Sequence, residues 1–198
     1  FRPTASSSNF ATRGTQGGSF EFARTESAGY RSQTRALLIA IGGLMRSILG
    51  IDTASGDGSV ALARDGIALA WEPLHPGQHS SGLSHAVERL LLANTVTLGD
   101  LAGISVSSGP GSFTGLRIGL AWSKGVCFGR GLPLVLVSAH EAAAYAHGRT
   151  PSVVATLIPG ERGRVDVALW RGGDRPDLRW GPDSIDEGDV VDQIVETA

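Results

Sequence analysis

The residues best suited to chemistry lie in a glycine-rich run, 108–120, with the sequence SGPGSFTGLRIGL. It follows a short apolar run, 103–107, which indicates a buried strand, and residues 116–129 can form a helix. Backbone amides at such a strand-to-helix turn can bind an anion or face another protein. The glycine spacing matches neither the dinucleotide fingerprint nor a Walker loop, because no Lys-Ser/Thr pair follows. The run therefore permits a phosphate cradle or a tight structural turn.

Ser112 lies in this run and raises the question of a hydrolase nucleophile. A nucleophile elbow needs glycine two residues before and two residues after the serine. Here those positions hold Pro110 and Thr114, so the elbow pattern is absent. We expect Ser112 and Thr114 to hydrogen-bond the turn and cap the following helix.

The histidines and the cysteine give no pattern for metal binding or thiol catalysis. The five histidines include one His-x-x-x-His spacing, His75 and His79, but Pro76 and Gly77 lie between them and interrupt a helix, so the pair is not the one that places two ligands on one helical face. Cys127 is the only cysteine, which excludes an internal disulfide and fits a reducing, cytoplasmic compartment. We expect a packed thiol at Cys127 and no metal site.

The pattern of apolar residues predicts the elements that position the glycine run. Runs at 59–64 and 67–71 predict two strands joined by an Asp65-Gly66 turn. Further strands are expected at 48–52 and 133–137, a helix at 139–147, and two more strands at 153–158 and 165–170. A first helix precedes the strand at 103–107, and its apolar stripe consists of Leu83, Ala86, Val87, Leu90 and Leu91. This order indicates an α/β fold.

The helix after the glycine run has one face with almost no side chains. Gly115, Gly119 and Ser123 recur every four residues, so another backbone can approach this face closely. Glycine inside a helix costs about 1 kcal/mol relative to alanine, which packing must offset. The packing partner is either the chain's own sheet or a helix of another protein.

Composition divides the 198 residues into a basic leader and an acidic body. Residues 1–46 carry a net charge of +4 and residues 47–198 carry −6, and residues 1–35 lack a sustained apolar period. Met45 is the only methionine and lies just before the first strand. We expect translation to start there, with 1–46 a disordered leader or an annotation artefact; a transit peptide and a functional tail are alternatives. The acidic body predicts weak binding to nucleic acid, since phosphate contacts need clustered Lys and Arg.

The exact residues of the run resemble the TsaB (YeaZ) family of tRNA threonylcarbamoyladenosine-biosynthesis proteins. The resemblance covers residues 47–147 in order and fades beyond 150. Besides GPGSFTGLRIGL, it is carried by Ile48-Leu49-Gly50-Ile51-Asp52-Thr53-Ala54, Gln78-His79-Ser80, Leu98-Gly99-Asp100-Leu101, Lys124-Gly125 and Pro133-Leu134-Val135-Leu136-Val137-Ser138.

The resemblance implies an actin-like ATPase (ribonuclease H-like) fold. One well-formed lobe would occupy 47–150 and a shortened, partial second lobe 151–198. Actin-like ATPases place a carboxylate near the phosphates at the position of Asp52, so Asp52, Gly109 and Gly111 are candidate nucleotide-binding residues. ATP cleavage in that fold also needs an acid in the second lobe, where this chain has Pro159. We therefore expect Asp52 to act as a turn residue.

The resemblance also implies a non-catalytic subunit. It would pair through its first two helices with itself or with a TsaD-like catalytic subunit, in a complex that includes a TsaE-like ATPase. That complex uses ATP to modify the adenosine beside the tRNA anticodon, whereas this chain alone would need no cofactor and meet tRNA only through the complex. The expected interface comprises Leu83, Val87, Leu90, Ser112, Phe113, Thr114, Gly115, Leu116, Arg117, Gly119, Leu120 and Ser123. The alternative is a free-standing actin-like small-molecule kinase or ATPase.

Overall fold

A computed structural model describes residues 21–24, 47–75, 79–147, 152–173 and 175–197, with the backbone alone at 21–24 and at residue 79. The strands are β1 (Glu21–Arg24), β2 (Ser47–Asp52), β3 (Ser59–Arg64), β4 (Ile67–Pro73), β5 (Leu101–Ser107), β6 (Leu134–Val137), β7 (Val153–Pro159), β8 (Arg164–Arg171) and β9 (Asp177–Asp186). The helices are α1 (His79–Ala93), α2 (Phe113–Arg130), α3 (Ala139–His147) and α4 (Val190–Thr197). Short 3-10 turns at Leu98–Asp100 and Glu187–Asp189 precede β5 and α4.

The first sheet has five strands in the order β4-β3-β2-β5-β6. β2, β3 and β4 form an antiparallel meander, while β5 and β6 add parallel to β2. The predicted hairpin turn is confirmed, because Asp65 and Gly66 both adopt positive φ, at 53° and 75°. The main core lies between this sheet and α1 and α2, and it buries the whole predicted stripe of α1.

The second sheet has four strands in the order β1-β7-β8-β9. β7, β8 and β9 again form an antiparallel meander. β9 and α4 were not predicted, although Val190 and Ile194 are spaced one helical turn apart and are buried against this sheet. The strands expected at 153–158 and 165–170 are confirmed as β7 and β8.

β1 lies inside the segment expected to be disordered. It pairs parallel with β7 over four residues, from Glu21 opposite Val154 to Arg24 opposite Leu157. The expectation of disorder therefore does not hold for these four residues. The rest of the leader, with the start predicted at Met45, lies outside the described residues.

Helix α3 connects the two sheets. Its Ala142 packs with Val137 of β6, and its Ala144 packs with Val154 and Trp170 of the second sheet. The predicted boundary at residue 150 falls between α3 and β7. Within the described residues, every helix is too short or too polar to cross a bilayer.

Candidate partner-binding surface

The glycine run forms a turn that is hydrogen-bonded to the loop after β2 and to the start of α3. The Ser112 amide donates to the Ala54 carbonyl after β2 at 2.6 Å, and the Ala139 amide at the start of α3 donates to the Gly109 carbonyl at 2.8 Å. Ser112 is also the N-cap of α2, since its Oγ accepts the Gly115 amide at 3.2 Å. The expected capping role of Ser112 is thus confirmed.

The three candidate nucleotide-binding residues are engaged within the chain. Asp52 is buried, and its Oδ1 accepts the Ala54 amide at 2.9 Å, as expected for a turn residue. Gly109 and Gly111 have positive φ, and a Cβ at Gly111 would clash with the Ala54 carbonyl oxygen. Close packing thus accounts for both glycines, and nucleotide binding at this set stays a prediction.

The bare face of α2 packs against the chain's own sheet. Gly115, Gly119, Ser123 and Cys127 are the buried residues of this helix. A Cβ at Gly115 would clash with the Thr53 carbonyl oxygen, and one at Gly119 with the Thr53 hydroxyl. That hydroxyl donates to the Gly115 carbonyl at 2.7 Å, which fixes the helix on the turn after β2.

Half of the predicted interface residues are buried inside the fold. Side chains and backbone enclosed in the core of the free chain are not available to a partner, because their contacts are already made inside the fold. Six of the twelve predicted interface residues are in this position: Leu83, Val87, Leu90, Gly115, Gly119 and Ser123. For these six the interface stays an untested prediction, and the internal packing that the sequence left open accounts for the bare helix face.

The other six predicted residues lie at the surface or partly so. Ser112, Phe113, Thr114 and Arg117 are exposed, whereas Leu116 and Leu120 are half-buried. Phe113 is 70% exposed, and the Arg117 guanidinium lies 5.2 Å from the centre of its ring. The two side chains form a cation–π pair and lie one helical turn apart.

The exposed residues extend along α2 as one stripe. We call Phe113, Arg117, Ala121, Lys124 and Phe128 the α2 outer face; successive members are three or four residues apart and all are exposed. Phe128 is 93% exposed, although phenylalanine is normally buried. Sequence reasoning missed Ala121, Lys124 and Phe128, yet their helical spacing from Phe113 was a usable signal.

Helix α1 lies beside α2 and presents a further apolar residue. The Trp122 indole Nε1 donates to the Ser84 Oγ at 2.9 Å, which joins the two helices. An Arg89–Glu72 ion pair of 2.8 Å ties α1 to β4. Leu92 on α1 is 72% exposed. The two helices therefore carry exposed apolar side chains beyond those needed for the core.

A buried polar cluster between α3 and the second sheet also escaped sequence reasoning. The Trp170 Nε1 donates to the Thr156 Oγ1 at 3.0 Å, and the Thr156 hydroxyl donates to the Ala168 carbonyl at 3.2 Å. His140 Nδ1 lies 2.8 Å from the same Thr156 oxygen, so it carries the proton and donates. Its Nε2 is buried with no hydrogen-bond partner among the described residues. Burial lowers the pKa of His140 to about 4, against a smaller opposing effect of Asp166.

Cys127 is enclosed by the chain, as expected for a packed thiol. Its Sγ lies 3.7 Å from the Pro133 carbonyl oxygen, and burial raises the pKa of the thiol. Across the described ranges, no three His, Cys, Asp or Glu side chains are grouped as a metal site would require. The absence of a metal site stays a prediction for the chain as a whole.

Comparison with known proteins shows which families and relatives the chain resembles. Residues 75–172 match the family model described as TsaD, tRNA N6-adenosine threonylcarbamoyltransferase. The tRNA threonylcarbamoyladenosine biosynthesis protein TsaB of Escherichia coli is 40% identical over 91 residues, which are 46% of this chain and 39% of that protein. TsaB of Bacillus subtilis is 32% identical over 127 residues, 63% of this chain and 55% of that protein.

A solved structure agrees with the sequence matches. A Pseudomonas aeruginosa protein described as similar to the peptidase YeaZ superposes with a TM-score of 0.64 at 28% identity, covering 72% of this chain and 67% of that one. The fold is an actin-like α/β fold. The chain is similar to proteins of the TsaB (YeaZ) family. Its matches span about two fifths to just over half the length of these two curated relatives.

Proposed function

We propose that this chain is a TsaB-type, non-catalytic subunit that acts in tRNA threonylcarbamoyladenosine biosynthesis. It binds a TsaD-like catalytic subunit and thereby supports threonylcarbamoylation of the adenosine next to the tRNA anticodon. The names of the relatives and the TsaD family match support this role. ATP and a TsaE-like ATPase belong to the assembly, and tRNA reaches this chain only through it.

One observation carries the partner-binding role: the α2 outer face exposes two phenylalanines at the ends of a single helical stripe, while the opposite face packs on the sheet. Aromatic and arginine side chains are the groups that most often dominate the energy of protein interfaces. Phe113, Arg117 and Phe128 supply these groups, and Leu92 of the neighbouring helix adds apolar area. We propose this face as the contact with the TsaD-like subunit; self-pairing through it is the competing outcome.

Two further features favour a binding role over a free-standing kinase or ATPase. Asp52, which such an enzyme would need near the phosphates, is buried and accepts the Ala54 amide. The chain's own atoms occupy the space beside the glycines of the turn, above all the Ala54 carbonyl beside Gly111.

Replacing Phe128 with aspartate should weaken association with the TsaD-like protein of the same genome by roughly 30-fold or more, the effect of losing an interface hot spot. The melting temperature should stay near that of the unaltered chain, because Phe128 is almost fully exposed. Titration calorimetry with the full chain measures the first quantity and thermal unfolding the second.

Val195→Asp is the matched control, since Val195 is a helical apolar residue that is 62% exposed on α4, in the other half of the fold. It should leave association unchanged. Equal affinity of Phe128→Asp and the unaltered chain would contradict the assignment of the α2 outer face. A loss confined to self-association would assign the face to pairing between two copies instead.

A further inference from the structure

Helix α2 carries positive charges and no negative ones. Its 18 residues include Arg117, Lys124 and Arg130 but no Asp or Glu. Residues 47–198 carry a net charge of −6, so without the +3 of α2 the rest of this segment carries −9. The helix is therefore a basic element in an acidic body.

The three cations of α2 are exposed and form no ion pair with the described residues. No carboxylate oxygen in that part of the chain lies within 4.0 Å of their nitrogens, whereas three other arginines are paired in this way. Arg130 ends the helix, where the helix dipole favours a cation. Arg117 and Lys124 lie away from that end, so neither the dipole nor an ion pair inside the described chain accounts for them.

Arg117 and Lys124 lie along the middle of the α2 outer face. They are two helical turns apart, about 10 Å along the helix axis. A phenylalanine lies beyond each of them, Phe113 before Arg117 and Phe128 after Lys124. Steps of three and four residues are the spacing of a seam along which a second helix packs. Such a helix can place apolar side chains against the phenylalanines and carboxylates opposite the two cations.

A second copy of the chain fits this face poorly. Two identical subunits commonly pair around a two-fold axis, which brings the same face of each together. The two α2 outer faces would then meet with four cations and no acid among their members. Like charges brought together at an interface cost free energy, so this arrangement disfavours self-pairing. A different protein whose docking helix carries acids has no such cost.

We propose that the α2 outer face binds an acid-bearing helix of a different protein, with carboxylates opposite Arg117 and Lys124. This inference rests on the proposed function, in which that protein is the TsaD-like subunit, and adds the charge by which the face distinguishes it from a second copy. Opposite charges on two faces speed association, and dissolved salt screens the attraction. The cations therefore act mainly on the association rate, and the phenylalanines act mainly on the lifetime of the complex.

Lys124→Glu tests the proposal through the association rate of the full chain with the TsaD-like protein of the same genome. At about 50 mM salt the variant should associate roughly tenfold more slowly, and at about 1 M salt the difference should shrink to less than about twofold. Stopped-flow fluorescence measures both rates. The melting temperature should not change, because Lys124 is exposed. Arg171→Glu is the matched control, since it makes the same change in net charge at an exposed residue of β8 and should leave the rate within about twofold.

Equal association rates of Lys124→Glu and the unaltered chain at low salt would overturn the acidic partner. If Phe128→Asp still weakens binding in that case, the proposed function stands and only the charge of the partner is wrong. If neither variant weakens binding, the proposed function fails as well.

Sedimentation of the chain alone gives a second readout. Lys124→Glu removes a like charge, so it should self-associate at least as strongly as the unaltered chain. Weaker self-association of the variant would assign the acids to a second copy and contradict the proposal. Salt-sensitive tRNA binding by the unaltered chain alone, lost in Lys124→Glu, would also contradict it by assigning the cations to phosphates.

Discussion

Gly115→Ala should destabilise the free chain by about 3 kcal/mol, more than any surface substitution in α2, because the new Cβ would clash with the Thr53 carbonyl oxygen. A backbone atom cannot move aside as a flexible side chain can, so the N-terminal part of α2 must shift away from the turn after β2. For a chain of this size the melting temperature should fall by roughly 6–12 °C, measured by thermal unfolding of the full chain.

Gly125→Ala is the matched control on the same helix. A Cβ at Gly125 meets no atom within 4 Å, so alanine there should be neutral or stabilise by up to about 1 kcal/mol through helix propensity. The two variants make the same chemical change ten positions apart. Equal melting temperatures for both would contradict the packing of α2 on the β2 turn.

Acidification should remove stability through His140. Burial holds its pKa at about 4 in the folded chain, against about 6.5 when unfolded, so the unfolded state binds the proton first as the pH falls. The contribution is therefore fully present above pH 6.5 and declines between about pH 6.5 and 4, by roughly 2–4 kcal/mol in total. Chemical unfolding at a series of pH values measures this slope.

The variant His140→Asn separates the effect of His140 from that of the carboxylates, which titrate over a similar pH range. Its side-chain amide can donate to the Thr156 oxygen that His140 Nδ1 contacts, but it does not titrate. As the pH drops to 4, the unfolding free energy of the unaltered chain should fall relative to that of His140→Asn by the predicted amount. A constant difference would show that His140 protonates equally well in the folded and unfolded chains.

Local patterns were sufficient to predict most of the first sheet. The meander depends on alternating apolar residues and on Asp65-Gly66, and both signals are contained within a few neighbouring residues. The stripe of α1 was equally clear, because burial follows the helical period. β9 was missed because Gly181, Pro182 and scattered aspartates resemble loop composition, although its backbone pairs along most of β8.

The candidate site was only partly predictable because a bare helix face shows that something comes close without showing what. Gly115 and Gly119 contact Thr53, which is more than 60 residues away in sequence. Family resemblance favoured a partner helix on that face, whereas the chain's own turn occupies it. The exposed Phe128 lay just beyond the motif and was therefore overlooked.

The cluster around His140 had no local signal at all. His140, Thr156 and Trp170 belong to α3, β7 and β8, and they meet only when α3 packs on the second sheet. A single buried histidine has no spacing pattern that a sequence could display. Only the structure shows the hydrogen bond of His140 to Thr156 and the burial that lowers its pKa.

The most direct test of the proposed function is a reconstituted threonylcarbamoylation assay. The mixture contains tRNA, ATP, threonine, bicarbonate, the adenylate-forming enzyme, the TsaD-like and TsaE-like proteins, and this chain in full or left out. Modified tRNA should form only when the chain is present, and Asp52→Ala should retain most of the product. Undiminished product without the chain, or product formed by the chain without the TsaD-like protein, would contradict the account.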